Sequence, residues 1–461
     1  MRTLLIIACV LLLVLFGSTL FICRAPEVSW TTTSEPARDA FQRGLQEEMK
    51  LYLMEAQRHY REALQADPDF IAARTRLLDI STRLGGVSEE EILLLRGADL
   101  DTLEPREQFL TRHFLYRIDR NGKRSDQLTE EFLAAHPDDP FALSYAAEAA
   151  VMTGDDDRAE VLFQHLLEIE PNWVRAQNWL GYIAMTRGEF EEAERRFRTY
   201  QYIAPDQANP HDSMGELFLL LGRYEDAEAE LEAALSLNPS FGASWGNLIS
   251  SALLQQDMPR AELLLARATG TRDMLQGHLE EMRCDITYGR GALDDVWSEV
   301  VDDLARCNED HSNAFRMLMQ HRGLLQAGYS ERALQMEQEL AEFLEKRSNG
   351  VPRKRPSLAE CSLLHMRGSR EAVLGELEQA QRTLALADEC LTYRSFREGL
   401  LKLNNRMARV LALEELNQAE EARHLEDAVR QVNPSYADLC RLLAEQPQPL
   451  DPAADLLTLE S

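Results

Sequence analysis

Residues 178–205 read NWLGYIAMTRGEFEEAERRFRTYQYIAP, and residues 215–239 read GELFLLLGRYEDAEAELEAALSLNP. The two stretches carry the same marks in the same order: a glycine near the middle, then an alanine, then a closing proline. Pro137, Pro171, Pro205 and Pro239 fall 34 residues apart, as do Gly154, Gly188 and Gly222, and Ala159, Ala193, Ala227 and Ala261. Between these marks apolar residues recur with helical spacing, so each unit reads as two helices joined at the glycine. Glycine can take the left-handed conformation that ends the first helix. Proline stops the second, because it has no N–H to donate and disfavours helix in the residue before it. The small residues Gly181, Gly215, Ala193 and Ala227 let the paired helices approach closely, and Phe197, Leu231 and Leu265 fill the seam around them.

On these residues the segment resembles the tetratricopeptide repeat family. Leu180, Gly181, Ala184, Gly188, Ala193, Phe197 and Pro205 fill the family's signature positions, although Gln177 stands where the first aromatic is often found. The resemblance implies an all-α solenoid of stacked antiparallel helix pairs, a right-handed superhelix of about 10–11 hairpins. The array is expected over 37–275 and is clearest over 140–275. Residues 71–139 have the length of two degenerate pairs, and 276–440 read as degenerate hairpins with copies near Ala314, Cys361 and Asn404. A linker over 25–36 precedes the array, and a proline-rich, disordered tail over 441–461 follows it.

The 461 residues are 45% hydrophobic, and 78 acidic against 49 basic residues give a formal net charge of −29. Such a field repels phosphate backbones, which argues against a nucleic-acid partner. Leu4 to Cys23 runs without a charge and matches the thickness of a bilayer core, so residues 1–24 read as a transmembrane anchor or a signal segment. This predicts a single-pass membrane protein whose body lies outside the cytoplasm. The alternatives are secretion after cleavage or a body facing the cytoplasm.

No chemistry of a reaction is legible. Gly242-Ala243-Ser244-Trp245-Gly246 has the GxSxG form, but the repeat register places it at the start of a helix rather than on a strand-to-helix elbow. No HExxH and no phosphate-binding loop is present, and the ten histidines stand singly. The expectation is a protein with no catalytic residues, no cofactor and no metal. Cys284, Cys307, Cys361, Cys390 and Cys440 make an odd set, so one thiol is left over. Cys361 and Cys390 lie at nearly equal distance from the turn near Gly375, which places them as candidate neighbours: a disulfide if the body lies outside the cytoplasm, buried free thiols otherwise.

By the family's register the first helices line an inner groove with Phe141, Ser144, Glu148, Arg175, Asn178, Tyr182, Asn209, Asp212, Glu216 and Ser250. This mixture of aromatic, amide and acidic groups suits an extended peptide or helix that contributes hydrogen bonds and positive charge. The expected function is a scaffold for other proteins or peptide segments, in an envelope complex if the anchor holds. A fixed subunit of a permanent complex is the alternative, and an enzyme hidden in the C-terminal half is a third reading. Arg353, Lys354 and Arg355 form the one dense basic cluster, able to dock an acidic partner or to lie solvated in a loop.

Overall fold

The computed structural model describes residues 29–84, 86, 89–294, 296–307, 314–347 and 354–444. Among these the regular elements are helices, apart from one 3-10 turn at Leu100–Thr102. From Glu35–Met49 to Ala419–Val432 the helices alternate as first and second members of hairpins, and Pro434–Ala444 closes the series. The stretch 71–139 holds Ile71–Arg83, Glu89–Gly97, Pro105–Ile118 and Gly122–Ala135. The expectation of a single-pass membrane protein is corrected: no helix among the described residues is long and apolar enough to cross a membrane. The run from Leu4 to Cys23 on which that expectation rested lies outside the described residues, as do Arg353 and residues 445–461.

Contacts divide the described residues into two compact units, one holding those up to 46 with 53–128, the other 47–52 with those from 129 on. In the first unit Trp30, placed in the expected linker, is buried with its ring centroid 4.7 Å from that of Phe41, and Phe70 completes the cluster. Asp79, 1% exposed, accepts Arg117 Nη1 at 2.6 Å and lies 3.2 Å from both Arg76 Nη2 and Arg83 Nη2.

The second unit shows what the 34-residue marks do. Gly154, Gly188 and Gly222 have φ of 77°, 77° and 71°, each at the turn between paired helices. A Cβ on Gly215 would meet Leu231 at 2.7 Å and one on Gly368 would meet Leu384 at 2.6 Å, so these pairs close only over glycine. The next turn in the series is built on Gln256, whose φ is 60° although it carries a side chain. That side chain is exposed. Gln256→Gly is therefore expected to raise unfolding stability by about 1 kcal/mol in a denaturant titration, because a left-handed residue with a Cβ is strained by roughly that amount.

Successive hairpins are tied across their seams by arginines reaching back to the second helix of the preceding pair. Arg158 meets Glu130, Arg187 meets Glu160 and Asp157, Arg223 meets Glu194, Arg260 meets Glu228, and Arg332 meets Asp302. Each exposed pair contributes up to about 1 kcal/mol, so the ladder sets register more than stability. Disulfides join Cys284, midway along Gln276–Asp294, to Cys307 after the helix it pairs with, and Cys361 to Cys390 across the open ends of their pair, and Cys440 is the free cysteine among the described residues.

The first helices of this unit also contact one another in sequence. Ala208–Leu220, Gly242–Leu254, Gln276–Asp294, Ala314–Gln326, Leu358–Val373 and Phe396–Glu415 touch in that order, and Phe396–Glu415 packs back on Ala208–Leu220. Six first helices thus form a closed circuit. Its largest apolar cluster runs from Met214, Leu217 and Ile249 to Leu403, Met407 and Leu413.

Candidate functional site

Closure of the circuit brings the connections between C-terminal hairpins against the turns of the regular repeats. Three turn glycines each receive one residue: a Cβ on Gly154 would lie 2.8 Å from Arg355, one on Gly188 4.0 Å from Tyr393, and one on Gly222 2.5 Å from Asn433. Around the first, Lys354 N–H donates to the Thr153 carbonyl at 3.1 Å, Lys354 Nζ meets Asp155 and Arg355 meets Asp156 at 2.9 Å. The described members of the basic cluster therefore have their acidic partner within the chain. Around the second, the Tyr393 ring packs on Phe190 with centroids 5.4 Å apart. At the third, Asn433 Nδ2 donates to the Leu220 carbonyl at 3.1 Å, and its Oδ1 caps the last helix by accepting Tyr436 N–H at 2.9 Å.

The segment between Cys390 and Phe396 is the non-helical part of this return. Arg394 donates to the Val151 carbonyl at 3.3 Å, and Phe396 N–H donates to Glu216 Oε1 at 2.7 Å. Arg397 holds Asp285 in a two-point pair at 2.6 and 3.1 Å and stands 3.7 Å from Glu281. The sequence S-x-x-E occurs at the start of both neighbouring first helices, at Ser357 and Ser395, a signal for helix starts that the repeat register alone did not use. Ser357 and Glu360 form the full capping box, whereas Glu398 turns instead to Thr392 and orders the return segment.

Three of the expected groove residues are drawn into this arrangement. Ser213 Oγ donates to Asn178 Oδ1 at 3.1 Å, and the Tyr182 hydroxyl donates to Glu216 Oε2 at 2.8 Å, within 3.1 Å of the same serine. Asn178, Tyr182 and Glu216 thus form one polar chain that ends on the Phe396 amide. Glu148 pairs with Arg175 at 2.8 Å on the half-exposed face of the two preceding hairpins, and Asn209 is half-buried. Phe141 lies elsewhere: 3% exposed, its ring stands edge-on to Trp173 at 5.3 Å and belongs to the seam between hairpins. Ser144 is buried too, 2% exposed.

Asp212 stands apart from this polar chain. It is 7% exposed and accepts Ser244 Oγ at 2.7 Å and Asn247 Nδ2 at 3.2 Å. Burial, reinforced by the charge of Glu216, pushes its carboxyl up to about 7 against those two hydrogen bonds. Burial also raises Glu216, opposed first by the Phe396 N–H. A carboxyl that holds its proton more tightly folded than unfolded makes stability fall as pH rises from about 4 to about 7. Asp212→Asn is expected to be more stable than the wild type by on the order of 2 kcal/mol at pH 8 and close to it at pH 4, read by chemical denaturation at the two pH values.

Beside this network lies a cavity of about 250 Å³, lined among others by Asp212, Glu216, Asn247, His278, Glu281 and Arg397. No group of three or more potential metal-binding side chains converges among the described residues.

Comparison with known proteins agrees with the repeat reading where the marks are clearest. Residues 213–273 match the model of the tetratricopeptide repeat. No curated protein matches the sequence. Among solved structures, a tetratricopeptide repeat protein from Parabacteroides merdae is 15% identical, covering 54% of this chain and 93% of its own, with a TM-score of 0.39. An APC/C hetero-tetramer is 15% identical over 89% of this chain and 76% of its own, with a TM-score of 0.46. PilW, a type IV pilus biogenesis factor, is 18% identical over 43% of this chain and 90% of its own, with a TM-score of 0.37. Residues 213–273 are thus a match to the tetratricopeptide repeat, and the 34-residue step and the left-handed turns at Gly154, Gly188 and Gly222 carry the same pattern through the hairpins before them.

Proposed function

We propose that the chain is a non-enzymatic scaffold that holds a segment of another protein on the first-helix faces of the hairpins between residues 140 and 254. The observation that carries this reading is the chain's own return segment. The same faces and turns already hold the return segment through the Phe396 N–H on Glu216 and Arg394 on the Val151 carbonyl, and the helix that follows it sets Arg397 on Asp285 of the neighbouring first helix. That is the chemistry by which such faces take an extended ligand: carboxylates and carbonyls for main-chain and guanidinium donors. Beside it Glu148, Arg175, Asn178 and Trp179 remain half-exposed and offer further polar and aromatic contacts.

A crosslinking capture from the native host tests the reading, comparing the intact chain with one carrying Arg175→Glu and Asn178→Ala. Both changes lie on the half-exposed part of the face, and the helix content and melting of the variant serve as its folding control. Loss of a defined partner set supports the groove; capture of the same set by the variant overturns it.

A further inference from the structure

The cavity beside the return segment sits where five helices of the circuit meet, Ala314–Gln326 contributing the Phe315 ring. Asp212 and Glu216 come from Ala208–Leu220, Gly246 and Asn247 from Gly242–Leu254, His278 and Glu281 from Gln276–Asp294, and Arg397 from Phe396–Glu415. Its charges do not cancel. Arg397 is the cation of the lining, and both arms of its guanidinium are taken by Asp285, with Glu281 next to it. Glu216 is held by neutral donors, the Phe396 N–H and the Tyr182 hydroxyl. Asp212 has only the Ser244 hydroxyl and the Asn247 amide.

A second observation points to what is missing. Both hydrogen bonds to Asp212 fall on Oδ1, and Oδ2 accepts none among the described residues, although the side chain is 7% exposed and lines the cavity. A carboxylate removed from water and facing a cavity with an open acceptor is stabilised by a donor that brings positive charge. The volume excludes a bulky ligand but holds an aliphatic chain with a charged head.

We propose that this cavity is a binding site for an organic cation, an ammonium or guanidinium group that donates to Asp212 Oδ2 between Glu216 and Glu281. The proposal rests on the reading of these helix faces as a binding groove and names the group they take. A bound cation also neutralises Asp212, which Arg397, bonded to Asp285 and acting on Glu216 through space, does not reach. The same head group can belong to a free small amine or to a lysine or arginine of a partner's segment.

Titration calorimetry of the full chain tests it with two probes, agmatine and the tripeptide Gly-Arg-Gly blocked at both ends. Binding of agmatine alone assigns a free amine, and binding of the blocked peptide assigns a partner's side chain; either supports the site. Asp212→Asn removes the charge while keeping the shape. Gly246→Leu fills the cavity from a position where a Cβ meets nothing within 4 Å, so it tests the space without touching a charge. Asp212→Asn is expected to weaken the probe by about tenfold or more, the effect of one charge-assisted hydrogen bond, and Gly246→Leu to weaken it by at least as much through occupying the space. Binding of neither probe, or retention of wild-type affinity by Gly246→Leu, overturns the proposal. Because the probes are titrated directly, that outcome leaves partner capture through Arg175 and Asn178 standing, and loss of the capture result leaves the titration standing.

Discussion

Asp79→Ala is expected to lower the stability of the N-terminal unit by about 3–5 kcal/mol, the usual consequence of removing one partner from a buried ion cluster. Asp79 is 1% exposed and Arg76 2%, so the guanidinium left behind has no ready route to water. The cluster is cooperative: burial on its own would raise the carboxyl, yet Arg76, Arg83 and Arg117 together pull it well below the usual carboxylate range. A carboxyl whose folded pKa is depressed contributes stability above its unfolded value, and that stability is lost as pH falls below about 4. The variant should therefore melt earlier at neutral pH and show a flatter acid limb. Hydrogen exchange resolved over 53–128 reads the effect where it is expected; unchanged protection there would remove the cluster from the account of stability.

Asn433→Ala is expected to cost about 2–4 kcal/mol from one side chain that serves two helices. Its Oδ1 caps Pro434–Ala444, a contribution of about 1 kcal/mol. Its Nδ2 reaches the carbonyls of Leu219 and Leu220 at 3.4 and 3.1 Å, more than 200 residues back, and leaving such a buried acceptor unmet costs about 1–3 kcal/mol more. Gly222→Ala strikes the same dock from the other side, since its Cβ would fall 2.5 Å from Asn433 Oδ1. The two changes touch, so the double variant should be less destabilised than the sum of the single ones. Additive losses in denaturant titrations would mean that the dock does not couple the two positions.

The repeat was legible because its residue types answer local constraints. A left-handed turn at Gly188, a close approach at Gly215 and a helix end at Pro205 each leave a fixed mark every 34 residues. Gln256 escaped that logic only in residue type, since the backbone repeats the turn with a strained side chain. Cys361 and Cys390 were placed together by the same hairpin symmetry, while Cys284 and Cys307 were not, because the pair between them has no glycine to fix its turn.

The groove was only partly legible. Asn178, Tyr182 and Glu216 do share one network, but the register could not show that the chain itself takes up their free valences. Phe141 failed for a local reason: the residue that opens the next hairpin, Trp173, is an aromatic that turns it into the seam. Asn433 reads in sequence as an ordinary residue before a proline, and nothing nearby announces a partner at Leu220. Contacts between residues so far apart along the chain carry no periodic signature.

The closed circuit of first helices has a consequence for how this molecule can change length. An open solenoid tolerates the gain or loss of a hairpin, because each unit answers only to its neighbours. Here two runs of different pitch are matched like the scales of a vernier: turns every 34 residues at Gly154, Gly188 and Gly222 meet docking residues at Arg355, Tyr393 and Asn433. Inserting one hairpin between Gly188 and Gly222 would shift the Asn433 dock off its turn and open the ring where Phe396–Glu415 meets Ala208–Leu220. The number of repeats from 140 to 432 is thereby fixed by geometry, as the number of staves is in a barrel.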